Sequence, residues 1–181
     1  LRTALFSVLA LLFVGAMMPT QAQDSQVFVE EGTGSGDGTT DNPFPTIQAA
    51  VNDVESPGSS ANASAGDDVE IVVRSGTYDE SADRPVNIED IGNTDALSSL
   101  TISNADGATP EHNAGTDNGA YRFTSDASIP ITIEGFDIDA TISAGASSSN
   151  DDLLRTPDSR TAALTFQEND VDLTTSGDFS G

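Results

Sequence analysis

The sequence predicts an all-β protein, a parallel β-helix (a solenoid) with one short α-helix capping its N-terminal end. Three observations predict it. Short apolar–polar–apolar segments recur between Gly, Asn, Asp and Ser. Their apolar ends repeat at a period of about thirty residues, the range that marks repeat architectures. One amphipathic helical segment stands near the start, and little after it is helical in pattern.

The N-terminus reads as an export signal. Arg2 precedes the apolar run 4–18, which is 15 residues long. That is shorter than the ~20 residues needed to span a bilayer. Thr20 and Ala22 then supply a small-x-small cleavage site. Residues 1–22 are therefore expected to be a secretory signal peptide, with cleavage after Ala22. Residues 23–65 are expected to hold an N-terminal strand and the capping helix. Residues 66–181 are expected to form the coils.

The first strand is expected at 27–30 (VFVE), followed by a Gly/Thr/Ser/Asp-rich loop over 32–42. Pro43 and Pro45 set the entry of a helix over 46–54. Ile47, Ala50, Val51 and Val54 fall at i, i+3, i+4 and i+7, one face of that helix. The connector 57–65 carries Asn62-Ala63-Ser64, a three-residue glycosylation pattern of little specificity. Strands follow at 69–73, 86–88, 100–102, 121–123, 131–133, 136–138, 163–166 and 171–173, with 74–80 as a turn. Aligning Val73, Ile102, Ile133 and Phe166 gives intervals of 29, 31 and 33 residues.

The corner ITI-EG-FDI is written again as LTF-QEND-VDL, with two extra residues. In a parallel coil the equivalent strands stack, and alternate residues point inward. Ile102, Ile133 and Phe166 form one expected inward column, and Phe136 with Val171 another. Thr101, Thr132 and Thr165 form an outward ladder. Segments 104–119 and 143–160 are expected to project as polar loops. A β-sandwich also uses short strands, but it does not account for one corner recurring at a fixed period. Terminal units of a solenoid must cover its open end, which explains why the helix comes first. The C-terminal end shows no comparable cap, so the chain is expected to be part of a longer reading frame, and the open end invites self-association.

Composition narrows function. There are 30 acidic and 6 basic residues, all arginine, for a formal net charge of −24. No basic patch exists to neutralise phosphates, which argues against nucleic acid, and anionic lipid is disfavoured likewise. A compact chain this acidic repels itself in dilute buffer, and molar salt screens that repulsion. Many carboxylates with no lysine suit a salt-loving organism. With no cysteine there is neither a disulfide framework nor a Cys/His metal site.

PFPTIQAAVN, then DDVEIVVRSGTYDES, then VNI resembles the opening of right-handed parallel β-helix proteins of the pectin lyase-like superfamily. The resemblance spans 27–88, and the repeats to 173 suit the same fold. A TIQ helix, an apolar strand and a Gly-Thr-Tyr turn recur in pectinesterases and in bacterial surface β-helix proteins. The enzymes of the superfamily carry carboxylates and arginines on outward positions of later coils. None of their catalytic patterns maps onto this chain.

Asp137 and Asp139 alternate with Phe136 and Ile138, so both carboxylates leave one face. Asp172 is expected to stack about 4.8 Å from Asp137. These three are the candidate calcium ligands, although calcium prefers six to eight oxygens. Asp37, Asp41 and Asn42 are a second candidate set. No cofactor is required by any motif, and calcium is the one ion considered. His112, the only histidine, is expected in a solvated loop with no nucleophile partner. Arg74 is expected to pair locally with Asp79 or Glu80. Arg84 and Arg122 stand out among so many acids.

Two functions remain. One is a secreted or cell-surface β-helix protein that binds or presents a carbohydrate or matrix surface. The alternative is the N-terminal part of a polysaccharide-active enzyme, a lyase, hydrolase or esterase.

Overall fold

Alternating inward and outward side chains organise the whole chain. The computed structural model describes residues 24–55, 62–79, 85–88, 97–116, 119–123, 129–143, 154–156 and 162–176. The secretory segment read over 1–22 lies outside the described residues, as do Glu80, Arg84 and Arg160.

Twelve strands and one helix follow in order: β1 (Asp24–Val29), α1 (Ile47–Val54), β2 (Asp68–Val73), β3 (Thr77–Tyr78), β4 (Val86–Ile88), β5 (Ser99–Asn104), β6 (Glu111–Thr116), β7 (Tyr121–Phe123), β8 (Ile131–Glu134), β9 (Asp137–Ser143), β10 (Leu154–Arg155), β11 (Leu164–Gln167) and β12 (Asp170–Ser176). They build three sheets. The first is ordered β1-β2-β5-β8-β11, the second β3-β6-β9-β12 and the third β4-β7-β10. Every strand pairing is parallel. From β2 onward the chain visits the first, second and third sheet in turn and then returns to the first. This arrangement is mostly β, and it is compatible with a β-helix-like solenoid.

The core is a set of columns running from coil to coil. In the first sheet Val27, Ile71, Ile102, Ile133 and Phe166 stand in register. The first four are completely buried. The second sheet contributes Tyr78, His112, Ile138 and Val171. The third contributes Val86, Tyr121 and Leu154, with Ile88 beside Phe123. Burying a side chain such as Ile or Val contributes about 1.5–3 kcal/mol, so these columns dominate the stability of the stack.

The observed register differs from the expected one in two places. Ile71, not Val73, belongs to the Ile102–Ile133–Phe166 column, and the intervals become 31, 31 and 33 residues. Val73 ends its strand opposite Asn104, and its carbonyl accepts from Ala105 N at 2.8 Å. The end of an apolar run is a poor register mark when the last strand residue turns a corner. Val171 lies opposite Ile138, not beside Phe136. Segments 131–143 and 164–176 match residue for residue, with no insertion.

Asn169 occupies the place equivalent to Phe136. Its Oδ1 accepts from Phe136 N and its Nδ2 donates to Ile133 O, both at 3.0 Å. A polar residue in an aromatic slot disguised the match. Gly135 turns this corner at φ 81°, and Glu168 turns the next at φ 56°.

Three strands arise inside expected turns or loops: β3 within 74–80, β6 within 104–119 and β10 within 143–160. The inward residues of β6 include His112 and Ala114, which carry little hydrophobic signal.

The N-terminal side is sealed on all three sheets. Thr46 caps α1, its hydroxyl accepting from Ala49 N at 3.1 Å. Ile47, Ala50, Val51 and Val54 are fully buried, as their spacing predicts. The helix packs on β1, β2 and β4. Gln48 completes the seal on the third sheet. Its Nε2 donates to Asn87 O at 2.9 Å, and its Oε1 accepts from Asn87 N at 2.6 Å. One side-chain amide thus replaces a missing neighbouring strand.

On the second sheet Glu31 Oε2 accepts from Thr77 N at 2.8 Å. On the first, Phe28 N donates to Gly38 O at 2.9 Å, and Phe44 N donates to Phe28 O at 2.8 Å. Gly38 is required there. Its φ is +79°, and a Cβ would stand 2.6 Å from the Phe44 ring and 2.9 Å from Val27.

At the other side of the stack Leu164, Phe166 and Val171 are half-buried, and Leu173 is 51% exposed. Among the described residues no strand pairs with the outer edges of β10, β11 or β12.

Two predictions follow from position in the stack. Ile133→Ala is expected to cost about 2–5 kcal/mol by urea denaturation. Leu173→Ala is expected to cost under about 1 kcal/mol, since most of that side chain's burial is already absent. Equal costs would show that the columns do not carry the stability. Gln48→Ala leaves one donor and one acceptor of Asn87 without their partner, at about 1–3 kcal/mol. Amide exchange at Asn87 should accelerate before exchange at Ile102, and an unchanged rate there would remove the sealing role of Gln48.

Candidate functional surface

The outward positions hold the candidate functional residues. On the first sheet Gln26, Glu70, Thr101, Thr132 and Thr165 stand in one register column. The expected Thr ladder is present, with all three threonines half-buried. Carboxylates on and beside this sheet have neutral donors from a neighbouring strand. Gln26 Nε2 donates to Glu70 Oε2 at 2.9 Å, and Ser103 Oγ donates to Glu70 Oε1 at 2.7 Å. Ser99 Oγ donates to Asp68 Oδ1 at 2.6 Å, Ser25 Oγ to Asp67 Oδ2 at 2.9 Å, and Gln167 Nε2 to Glu134 Oε2 at 2.6 Å.

The second sheet is built differently. Asp172 lies opposite Asp139, and Asp170 opposite Asp137. The expected Asp137–Asp172 neighbours are therefore one outward position apart in register. The cause is again the uninterrupted match of 131–143 with 164–176. Glu111 extends the Asp137–Asp170 column and Asn113 the Asp139–Asp172 column. Asp137, Asp170 and Asp172 are exposed, and Asp139 is half-buried. A bulge between Asn113 and Gly115 lies beside them, where Gly115 N donates to Asn113 Oδ1 at 2.9 Å. Among the described residues no group of three or more His, Cys, Asp or Glu side chains is placed to hold a metal ion.

Two members of the second candidate calcium set, Asp37 and Asn42, are engaged by their own turn. Asp37 Oδ1 accepts from Thr39 Oγ1 at 2.8 Å and Thr39 N at 3.1 Å. These bonds, the hydroxyl's first, hold the Asp37 carboxyl below the ordinary aspartate range. Asn42 contributes its carbonyl, which accepts from Asp37 N and Gly38 N at 3.0 and 3.1 Å. Asn62, in the glycosylation pattern, uses its Nδ2 on Asp37 O and Asp53 Oδ2, at 2.8 and 2.9 Å.

His112 is not in a solvated loop. It is fully buried in β6, with its ring edge-on to Tyr121 at 5.0 Å and 83°. Alternation explains this, since His112 takes the inward position between Tyr78 and Ile138. Arg74 does not pair locally. It forms an ion pair with Glu30, donates to Thr40 O at 2.8 Å and lies 5.6 Å from the Phe28 ring centre. It thereby ties β1 and its covering loop to β2.

Two features escaped the sequence reading. Asp170 is part of the carboxylate grid, and the ungapped match of the two segments would have revealed it. Arg122 and Arg155 stand opposite each other in the third sheet. A two-residue strand such as β10 leaves no readable period.

Comparison with protein-family models, curated proteins and solved structures finds no match. No helix among the described residues is long and apolar enough to cross a membrane.

Like charges directly opposite on adjacent strands destabilise a sheet by a fraction of a kcal/mol to about 1 kcal/mol. Asp139→Asn combined with Asp172→Asn should therefore raise the melting temperature at about 0.1 M NaCl and give little gain at about 1 M, where the Debye length falls to ~3 Å. A gain of equal size at both salt concentrations would show that charge repulsion is not the cause.

Proposed function

We propose that this chain is an exported parallel β-helix of a salt-adapted organism that presents its outward polar face to carbohydrate or matrix. The observation that carries the reading is the outward Thr101–Thr132–Thr165 column, set in register by stacked parallel strands. A regular row of hydroxyls and carboxylates suits a long, repetitive, hydroxyl-rich ligand, because equivalent groups recur at each coil. The net charge of −24 supports work in brine, where screening removes self-repulsion. The apolar run and small-x-small site over 1–22 support export. The resemblance to pectin lyase-like proteins rests on the TIQ helix and Gly-Thr-Tyr turn, and it suits a surface role as well as an enzymatic one.

One observation favours the second reading, the N-terminal part of a polysaccharide-active enzyme. Asp137, Asp139, Asp170 and Asp172 occupy adjacent outward positions beside a bulge. Bulges are over-represented next to active sites, and outward carboxylates could serve acid–base chemistry.

Expression of the full chain in a secreting host, in molar salt, tests both. The binding reading expects a product in the medium that begins at Gln23 and is retained on insoluble polysaccharide. Release of unsaturated uronic acid from polygalacturonate, with or without calcium, would replace it with the lyase reading. An uncut product held inside the cell would overturn export.

A further inference from the structure

The outer edge of β12 combines open backbone, apolar surface and negative charge. Asp170 N donates to Phe136 O at 2.8 Å, so Asp170 turns its backbone groups toward β9. Alternation along the ladder then turns the N–H and C=O groups of Val171, Leu173 and Thr175 away from β9. Among the described residues no strand pairs with that edge. The strand is 7 residues long and contains neither Lys nor Pro. Among the described residues Leu173 is the large hydrophobic left exposed, and Val171 beside it is half-buried.

Two acidic rows run out to the same edge. Asp170 ends the row that contains Glu111 and Asp137, and Asp172 ends the row that contains Asp139. Both terminal aspartates are exposed. Like charges directly opposite weaken a sheet, and a cation on the next strand would reverse that at each row. Charged side chains on an edge also decide what can pair there. These two reject an acidic strand and admit a basic one.

We propose that the outer edge of β12 is a docking site for an extended, cationic strand of a partner protein. Such a strand pairs its backbone with Val171, Leu173 and Thr175 and lays apolar side chains beside Val171 and Leu173. Its Lys or Arg residues stand opposite Asp170 and Asp172, about 4.8 Å across. A second copy of this chain does not suit the edge. Two β12 strands would set Asp against Asp, and two bodies of net charge −24 repel. The N-terminal side of a copy is closed by its covering loop, Glu31 and Gln48. No two of the 6 basic residues lie two positions apart, so no segment of the sequence alternates basic with apolar.

The test titrates the full chain with synthetic peptides matched to β12 in length, at about 0.15 M NaCl. One alternates Lys with Val and Leu. A second carries Glu in place of Lys. A third keeps the Lys pattern but is N-methylated at alternate residues, which removes its ladder donors. Only the first is expected to bind. Amide exchange at Val171 and Leu173 should then slow about tenfold or more, and exchange at Asp172, which faces β9, should change less. Asp170→Asn with Asp172→Asn should weaken binding about two- to thirtyfold, the loss of two opposite-charge cross-strand pairs. Leu173→Pro deletes an edge-facing N–H and should abolish binding. The Asn pair probes the same edge if that proline unfolds the strand.

Absence of binding by the Lys peptide overturns the proposal. Equal binding of the Glu peptide or of the N-methylated peptide does so too, since charge or backbone pairing would then play no part. Binding that leaves exchange at Val171 and Leu173 unchanged puts the peptide elsewhere and has the same consequence. Strong protection of both amides in the monomer before any peptide is added would mean that the chain covers its own edge, which overturns the docking. Such protection together with dimers in sedimentation would make a second copy the occupant and overturn the partner strand. The glycan reading rests on the first sheet and stands or falls separately.

Discussion

The structure depends on the in-register parallel ladder between successive coils. Stacked strands of three sheets donate and accept backbone hydrogen bonds along their lengths, and that ladder forces like positions to stack. Ile102 must lie over Ile71 and under Ile133. Once the backbone is paired this way, every inward residue joins a column and every outward residue joins a row. A one-residue slip would exchange the two sets and expose the core. The core tolerates unusual members only because the ladder holds them. His112 is buried among Tyr78, Tyr121 and Ile138 because its strand position leaves it no outward choice.

A ladder of parallel strands creates a hazard at its ends, since an unpaired edge templates further pairing. The N-terminal side removes that hazard with three devices. A loop covers the first sheet, a glutamate side chain covers the second, and a glutamine side chain covers the third. The helix that brings Gln48 to Asn87 is the same one that buries Val51 and Val54 on the first coil. Apolar cover and polar satisfaction therefore come from two faces of one eight-residue element. Arg74, held by Glu30 and lying over Phe28, fastens the covering loop to the coil beneath it.

The same ladder makes charge a matter of arrangement as well as total. In the first sheet a carboxylate tends to face Ser or Gln, so its lone pairs are used and its charge is spread through hydrogen bonds. In the second sheet Asp faces Asp in two successive pairs. In the third, Arg faces Arg. Three surfaces of one small protein thus differ in how they would respond to salt and to charged ligands, although they share one geometry.

Much of this was legible in the sequence. The helix face, the all-β character, the thirty-residue period and the Thr ladder all follow from hydrophobic alternation, a property of neighbouring residues. The acidic composition is likewise readable without a fold. Register was not legible. Val73 looked like the end of a column because its run ended there, whereas backbone pairing put Ile71 in that place. Strands β3, β6 and β10 were hidden because they are short or carry His and Ala at inward positions. The sequence by itself determined which residues seek the interior. Only the tertiary structure decided which outward residues become neighbours, Asp139 with Asp172 and Arg122 with Arg155, because that depends on hydrogen bonds between segments about thirty residues apart.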